Sequence, residues 1–238
     1  LGCSINVRSA YRKQISFGIN FFQFWAEDND VSYHHSGISL NLVPINSLSI
    51  SLSANYDENR RNQDQFVRNI TYNNATRTIV AGVKQKTIRF TGRLSYNLTP
   101  DLTIQYYGQP YLTRPTYQQF AYVVNPLAAK SVNRLLKYSS SQTSESNGTY
   151  LIDENWDGIT DYSFGKPDFN FVQFRSNLVI RWEYRPGSEL FLVWSEGNTS
   201  DNYDDLQTPV FNSLFNNAFS GGNARNIFLV KWTYRFLR

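Results

Sequence analysis

NFVQFRSNLVIRWEYRPGSELFLVWSEG, residues 170–197, reads as two long strands joined by one tight turn. Val172, Phe174, Ser176, Leu178, Ile180, Trp182 and Tyr184 share one parity, apolar or aromatic except for the serine. Gln173, Arg175, Asn177, Arg181, Glu183 and Arg185 share the other, interrupted only by Val179. A period of two makes a strand with two unlike faces. Pro186 presets its own φ and Gly187 accepts a positive one, so the chain reverses there. Strands of soluble domains run to about 5–6 residues. Here the alternation lasts roughly fourteen, which suits a tilted strand crossing a bilayer.

The same pattern recurs on either side. Gly2 to Tyr11 ends at Arg12-Lys13, Gln14 to Trp25 loses its alternation at Phe21-Phe22, and Glu27 to Asp30 forms a polar tip. Val31 to Val43 closes on Pro44 to Ser47. In the next strand Leu48, Ile50, Leu52, Ala54 and Tyr56 alternate cleanly with Ser49, Ser51, Ser53 and Asn55. Thr87 to Leu98 and Leu102 to Tyr111 flank the turn at Thr99-Pro100-Asp101, and Asn226 to Phe236 is the last strand. Residues 57–86 read as a hairpin beyond the membrane, and 112–169 and 198–225 read as long loops.

Short turns on one side and long connections on the other follow the rule for membrane barrels. The expected fold is therefore all-β, an antiparallel transmembrane β-barrel of about nine principal membrane strands plus an extramembrane hairpin, with residues 1–238 as a single domain. Single-chain bacterial barrels have an even strand number, so the sequence is expected to be the C-terminal part of a longer chain. A β-sandwich would alternate too, with shorter strands and no loop asymmetry.

Composition agrees. The longest purely apolar run, Leu190 to Trp194, is five residues, against the ~20 that a helical span needs. Mean hydropathy is −0.46, because a barrel hides its membrane signal in alternation. Aromatic residues make up 16%, with 16 Tyr and 17 Phe, enough for interfacial girdles. The net charge of +4 is spread along the strands, so a nucleic-acid partner is not expected. Cys3 has no second cysteine to pair with.

Four groups of residues resemble a known domain. They are Leu94-Ser-Tyr-Asn-Leu-Thr-Pro100 with Gln109-Pro-Tyr111, Asp153-Glu-Asn-Trp-Asp-Gly158, Pro167-Asp-Phe-Asn-Phe171 with Phe174-Arg-Ser-Asn177, and Arg181-Trp-Glu-Tyr-Arg-Pro-Gly187 with Leu190-Phe-Leu-Val-Trp-Ser195. Over roughly residues 87 to 238 the chain resembles an uncharacterised C-terminal outer-membrane β-barrel domain of Bacteroidota proteins that carry an N-terminal family 9-like carbohydrate-binding sandwich. The resemblance implies a membrane barrel in the bacterial outer membrane and brings no established activity. The sandwich is not in this sequence, and Leu1 is expected to be an internal position.

Asp153, Asn155, Asp157 and Asp161, with Gly158 at the turn, have the spacing of a calcium loop, though position twelve is Phe164 rather than the glutamate of an EF-hand. Calcium is the candidate cofactor there, against a solvated acidic turn. His34 and His35 are the only histidines, and as adjacent strand residues they point to opposite faces. A hydrolase needs a histidine held by one polar group against a serine, and no such constellation is legible, so no enzymatic activity is expected. Arg89, Arg93, Arg175, Arg181, Lys231 and Arg235 share the inward parity with one acid, Glu183. Such charges must be hydrated or paired. The expected function is an outer-membrane conduit for small solutes or substrate passage. The alternative is a non-conducting anchor or subunit of an outer-membrane complex. The expected partners are outer-membrane lipid and other outer-membrane or periplasmic proteins.

Overall fold

A computed structural model describes residues 1–10, 14–26, 31–130, 133–201, 206–219 and 224–236. The Arg12-Lys13 corner and the Glu27–Asp30 tip lie outside the described residues. The chain is all-β with one helix. Its principal strands are β1 (Gly2–Arg8), β2 (Ile15–Trp25), β3 (Val31–Ile45), β4 (Leu48–Tyr72), β5 (Ala75–Thr99) and β6 (Leu102–Val123). After β7 (Leu135–Lys137), β8 (Thr143–Ser146), β9 (Thr149–Ile152) and β10 (Tyr162–Gly165) come β11 (Phe171–Arg185), β12 (Ser188–Asp201), α1 (Val210–Ala218) and β13 (Arg225–Trp232).

The long strands pair antiparallel in the order β1-β2-β3-β4-β5-β6-β11-β12-β13, a meander in which each strand lies beside its predecessor once β7 to β10 are set aside. Among the described residues β1 and β13 are the edges of this sheet. The nine principal strands expected from alternation are all present.

The register explains the alternation. One ladder of partners runs Ile15, Leu42, Ile50, Leu94, Tyr106, Leu178, Trp194, Phe228 across eight strands. The adjacent ladder, on the opposite face, runs Ser16, Asn41, Ser51, Arg93, Tyr107, Asn177, Ser195, Ile227. A slip of one residue in any pair would interleave the two sets, so the pattern fixes the register.

The short turns line up at one end. The amide of Asn97, just before the β5–β6 turn, donates to the Ser47 carbonyl in the β3–β4 turn at 2.8 Å, and the amide of Glu183 donates to Asp101 at 2.8 Å. Pro44 sits where the β3–β4 register shifts between Leu42 and Ile45, which suits a residue with no N–H to give. Gly187 has φ +76, and the Arg235 side chain lies over it.

At the other end the expected hairpin over 57–86 is present and continuous with the wall, whereas the two long loops carry structure of their own. Residues 57–86 are the direct continuation of β4 and β5, each 25 residues long, around a turn at Asn73 and Asn74 with φ 50 and 57. Two consecutive positive φ values are those of a tight hairpin turn, and Asn tolerates them. Likewise β6 runs on to Val123, and residues 143–165 fold as a separate three-stranded sheet, β10-β9-β8. That sheet closes a core on the projecting strands through Ile79, Ala81, Phe120, Tyr138, Ile152, Tyr162 and Phe164.

The region 198–225 was expected to be loop and contains α1. Leu214 and Ala218 bury against Ile88, Leu112, Val172 and Phe174, all on the apolar face of the sheet. Buried polar groups pin the helix. Arg114 donates to the Asn170 side-chain carbonyl at 3.2 Å and to the Thr208 carbonyl at 2.6 Å. Asn170 donates to Ser213 at 2.8 Å, and Asn198 donates to the Ala218 carbonyl at the helix end at 3.1 Å.

Candidate functional site

The polar face of the wall carries the charged residues singled out by parity. Arg93 reaches over the Tyr107 ring, 5.6 Å from its centre, in a groove of about 390 Å³ with Ser51, Gln105 and Asn177. Arg175 lies in a neighbouring groove of about 680 Å³ with Gln173, Thr199 and Arg225. Arg175 and Arg225 are both ladder partners of Gly197, so two guanidinium groups flank a position without a side chain. Among the described residues, none of Arg93, Arg175 and Arg225 has a carboxylate at ion-pair distance. Arg89 stands further up the same face, between Asn55 and Tyr111 in the ladder.

The remaining charges are engaged near the short turns. Arg181 pairs with Glu189 and, at 3.4 Å, with Glu183. Glu183 also accepts the Gly187 amide at 2.8 Å. Lys231 lies 5.5 Å from the centre of the Phe191 ring, and the Arg235 amide donates to Ser188 at 3.0 Å. Among the charges singled out by parity, Arg181 and Glu183 are ion-paired near the short turns, whereas Arg93 and Arg175 form an uncompensated middle. Arg225, at the boundary of the expected 198–225 loop, opens β13 and belongs to that middle.

Asp153, Asn155, Asp157 and Asp161 come together in one loop, held by backbone amides. Asp153 accepts the amides of Trp156 at 2.7 Å and Gly158 at 2.9 Å, and Asp157 accepts that of Ile159 at 2.8 Å. Asp161 accepts the Glu154 amide and the Tyr72 hydroxyl, each at 2.7 Å. The Tyr72 hydroxyl, with the Glu154 and Asn155 amides behind it, holds the Asp161 carboxyl below its ordinary pKa. Among the described residues no three His, Cys, Asp or Glu side chains are placed to hold a metal ion.

The two histidines sit on opposite faces, each with its own partners. His35 meets Asp57 at 2.7 Å on the polar side. His34 meets Gln23 at 2.9 Å and Ser36 at 2.8 Å on the apolar side.

Fold and faces define a class, an antiparallel meander wall with one apolar and one polar surface and a folded cap at one end. The chain belongs to the family described as a domain of unknown function, DUF5916, which matches residues 1–237. No curated protein and no solved structure matches it.

Proposed function

We propose that this sheet is the wall of a bacterial outer-membrane β-barrel, with its apolar face toward lipid and its polar face lining an aqueous path for small anionic solutes. The observation that carries the reading is the unbroken apolar ladder from Ile15 to Phe228, backed one residue away by a polar one. Away from the patch that α1 covers, the apolar side is open, with Ile38 59%, Val230 68% and Phe228 75% exposed. Exposed apolar surface on that scale is costly in water and favourable in hydrocarbon, at about 25 cal/mol per Å². No described helix is long and apolar enough to cross a membrane. The resemblance to the Bacteroidota barrel domain supports the same reading.

Arg93, Arg175 and Arg225 supply the selectivity. Fixed positive charge on a wetted wall raises the local concentration of anions. Arg181 contributes little because its charge is met by Glu189 and Glu183. In planar bilayers holding the full-length protein, a salt gradient is expected to give a reversal potential of anion-selective sign, reduced by Arg93→Gln with Arg175→Gln and little changed by Arg181→Gln. Cation selectivity refutes the anionic solute and the part assigned to Arg93, Arg175 and Arg225. Absence of conductance favours the second reading, a non-conducting anchor, in which the Arg181 ion pairs are internal ties.

A further inference from the structure

We propose that Gln23, His34 and Ser36 form a serine esterase site on the apolar face of the wall, acting on carboxylic esters of lipids. His34 and Ser36 are two apart on β3 and so share a face, and Gln23 lies directly across from His34 on β2. Ser36 Oγ is 2.8 Å from His34 Nε2, and His34 Nδ1 is 2.9 Å from Gln23 Oε1. The tautomer that lets the serine donate to Nε2 carries its proton on Nδ1, where the amide oxygen accepts it. A base within reach of a nucleophile, and itself oriented by a third group, is the arrangement that activates a hydroxyl. The ring is also held sideways, edge-on to Phe21 at 5.2 Å and tilted against Tyr56 at 5.9 Å.

The surroundings name the substrate. Ser36 opens onto a groove of about 290 Å³ walled by Ile19, Ile38, Ala54, Phe90 and Phe211 of α1. Ile19, Ile38, Ala54 and Phe90 also line a second groove of about 560 Å³, extended by Phe17 and Leu40, that carries this apolar track down the wall. An acyl chain laid along it places its ester at the serine. Mutual hydrogen bonds explain how three polar side chains are tolerated on an apolar face. They do not explain why aliphatic residues, which would cover it without desolvation, are not used instead.

The chemistry balances with water as co-reactant. Ser36 Oγ bonds to the ester carbonyl carbon as its proton passes to His34 Nε2. The carbon–oxygen bond to the alcohol then breaks, and the departing alcohol takes that proton. Water adds to the acyl-serine with His34 again taking the proton and returning it to Ser36, which frees the carboxylic acid. Gln23 is a positioning residue.

The lipid substrate rests on the lipid-facing reading of the wall, while the triad does not. Full-length protein in detergent is treated with a fluorophosphonate, then tested on p-nitrophenyl acetate and on phosphatidylcholine–phosphatidylglycerol vesicles. The expected result is a covalent adduct on Ser36 and fatty-acid release from the vesicles. Ser36→Ala abolishes both, His34→Ala slows both by about 10²–10⁴-fold, and Gln23→Ala slows both by roughly tenfold or more, with Gln23→Glu restoring the rate. Heat-dependent gel mobility verifies that each variant is folded. Folded protein without an adduct on Ser36, or hydrolysis indifferent to Ser36→Ala, overturns the proposal. Cleavage of the acetate ester alone by vesicle-inserted protein overturns the lipid substrate. Failure of the protein to float with vesicles overturns the membrane reading instead.

Discussion

Arg77 and Glu154 form an ion pair at 2.8 Å across 77 residues of sequence. The guanidinium also lies 5.0 Å from the centre of the Tyr122 ring, and Glu154 accepts the Tyr162 hydroxyl at 2.6 Å. This pair ties the segment after β9 to the projecting strand β5. Burial and the neighbouring carboxylate push the Tyr162 hydroxyl far above its ordinary pKa. Glu154→Gln leaves a partly exposed cation without its counter-charge and removes its bidentate hydrogen bonds, which weakens the tie between cap and β5. Hydrogen exchange in 143–165 is expected to accelerate while β11 and β12 stay protected. Unchanged exchange there would show that the pair does not hold the cap.

The Asp161 carboxyl gives the cap an acid limit. Its folded pKa is depressed, chiefly by the Tyr72 hydroxyl and then by the Glu154 and Asn155 amides. The stability it contributes is therefore complete above the unfolded aspartate value, about 3.9, and is lost as pH falls through the lower folded value. Amide exchange at Glu154 and Asn155, corrected for intrinsic rates, is expected to accelerate in that window. Asp161→Asn should erase the pH dependence, and a variant that keeps it would assign the effect elsewhere.

Calcium binding at 153–161, proposed from the spacing of its carboxylates, competes with the amides that Asp153, Asp157 and Asp161 already accept. Binding is thus expected to be weak, about millimolar. It should appear as calcium-dependent protection of this loop from proteolysis that Asp157→Ala removes. Cleavage indifferent to both calcium and chelator identifies an acidic turn held by its own backbone.

The proposed sidedness puts the end where the short turns align on the periplasmic side. Ser188 is a poor reporter of that end, being 1% exposed beneath the Arg235 backbone. In a Cys3→Ser background, Ser140→Cys is expected to react with an impermeant maleimide on intact cells, and Asp101→Cys only after the outer membrane is opened. Reaction of Asp101→Cys on intact cells would invert the topology.

Alternation revealed the wall because each side chain in it faces one of two unlike surroundings. The cap was not legible for the converse reason. Beyond Tyr56 on β4 both faces carry polar residues, so the hairpin over 57–86 was legible but its unbroken continuation of β4 and β5 was not. Strands β8, β9 and β10 are four residues each, too short for a period to register. Helix α1, VFNSLFNNA, has no side-chain cap, and its Leu214 acquires meaning only once Leu112 and Val172 lie beneath it. Gln23, His34 and Ser36 left a trace, as polar residues on the parity that Phe21, Ile38 and Leu40 keep apolar. Reading that break needs the β2–β3 register, which pairs Gln23 with His34.

The length of β4 and β5 has a mechanical consequence. From Tyr56 to Tyr72 the strand continues for sixteen residues, roughly 50 Å at about 3.3 Å each. Braced by β6 and the small sheet, the hairpin is a mast rather than a tether. A flexible loop of equal length would sweep a hemisphere and contact its own membrane, whereas a braced mast presents Asn73 and Asn74 at a set height. In the proposed orientation, the first surface that this tip touches belongs to whatever approaches the cell.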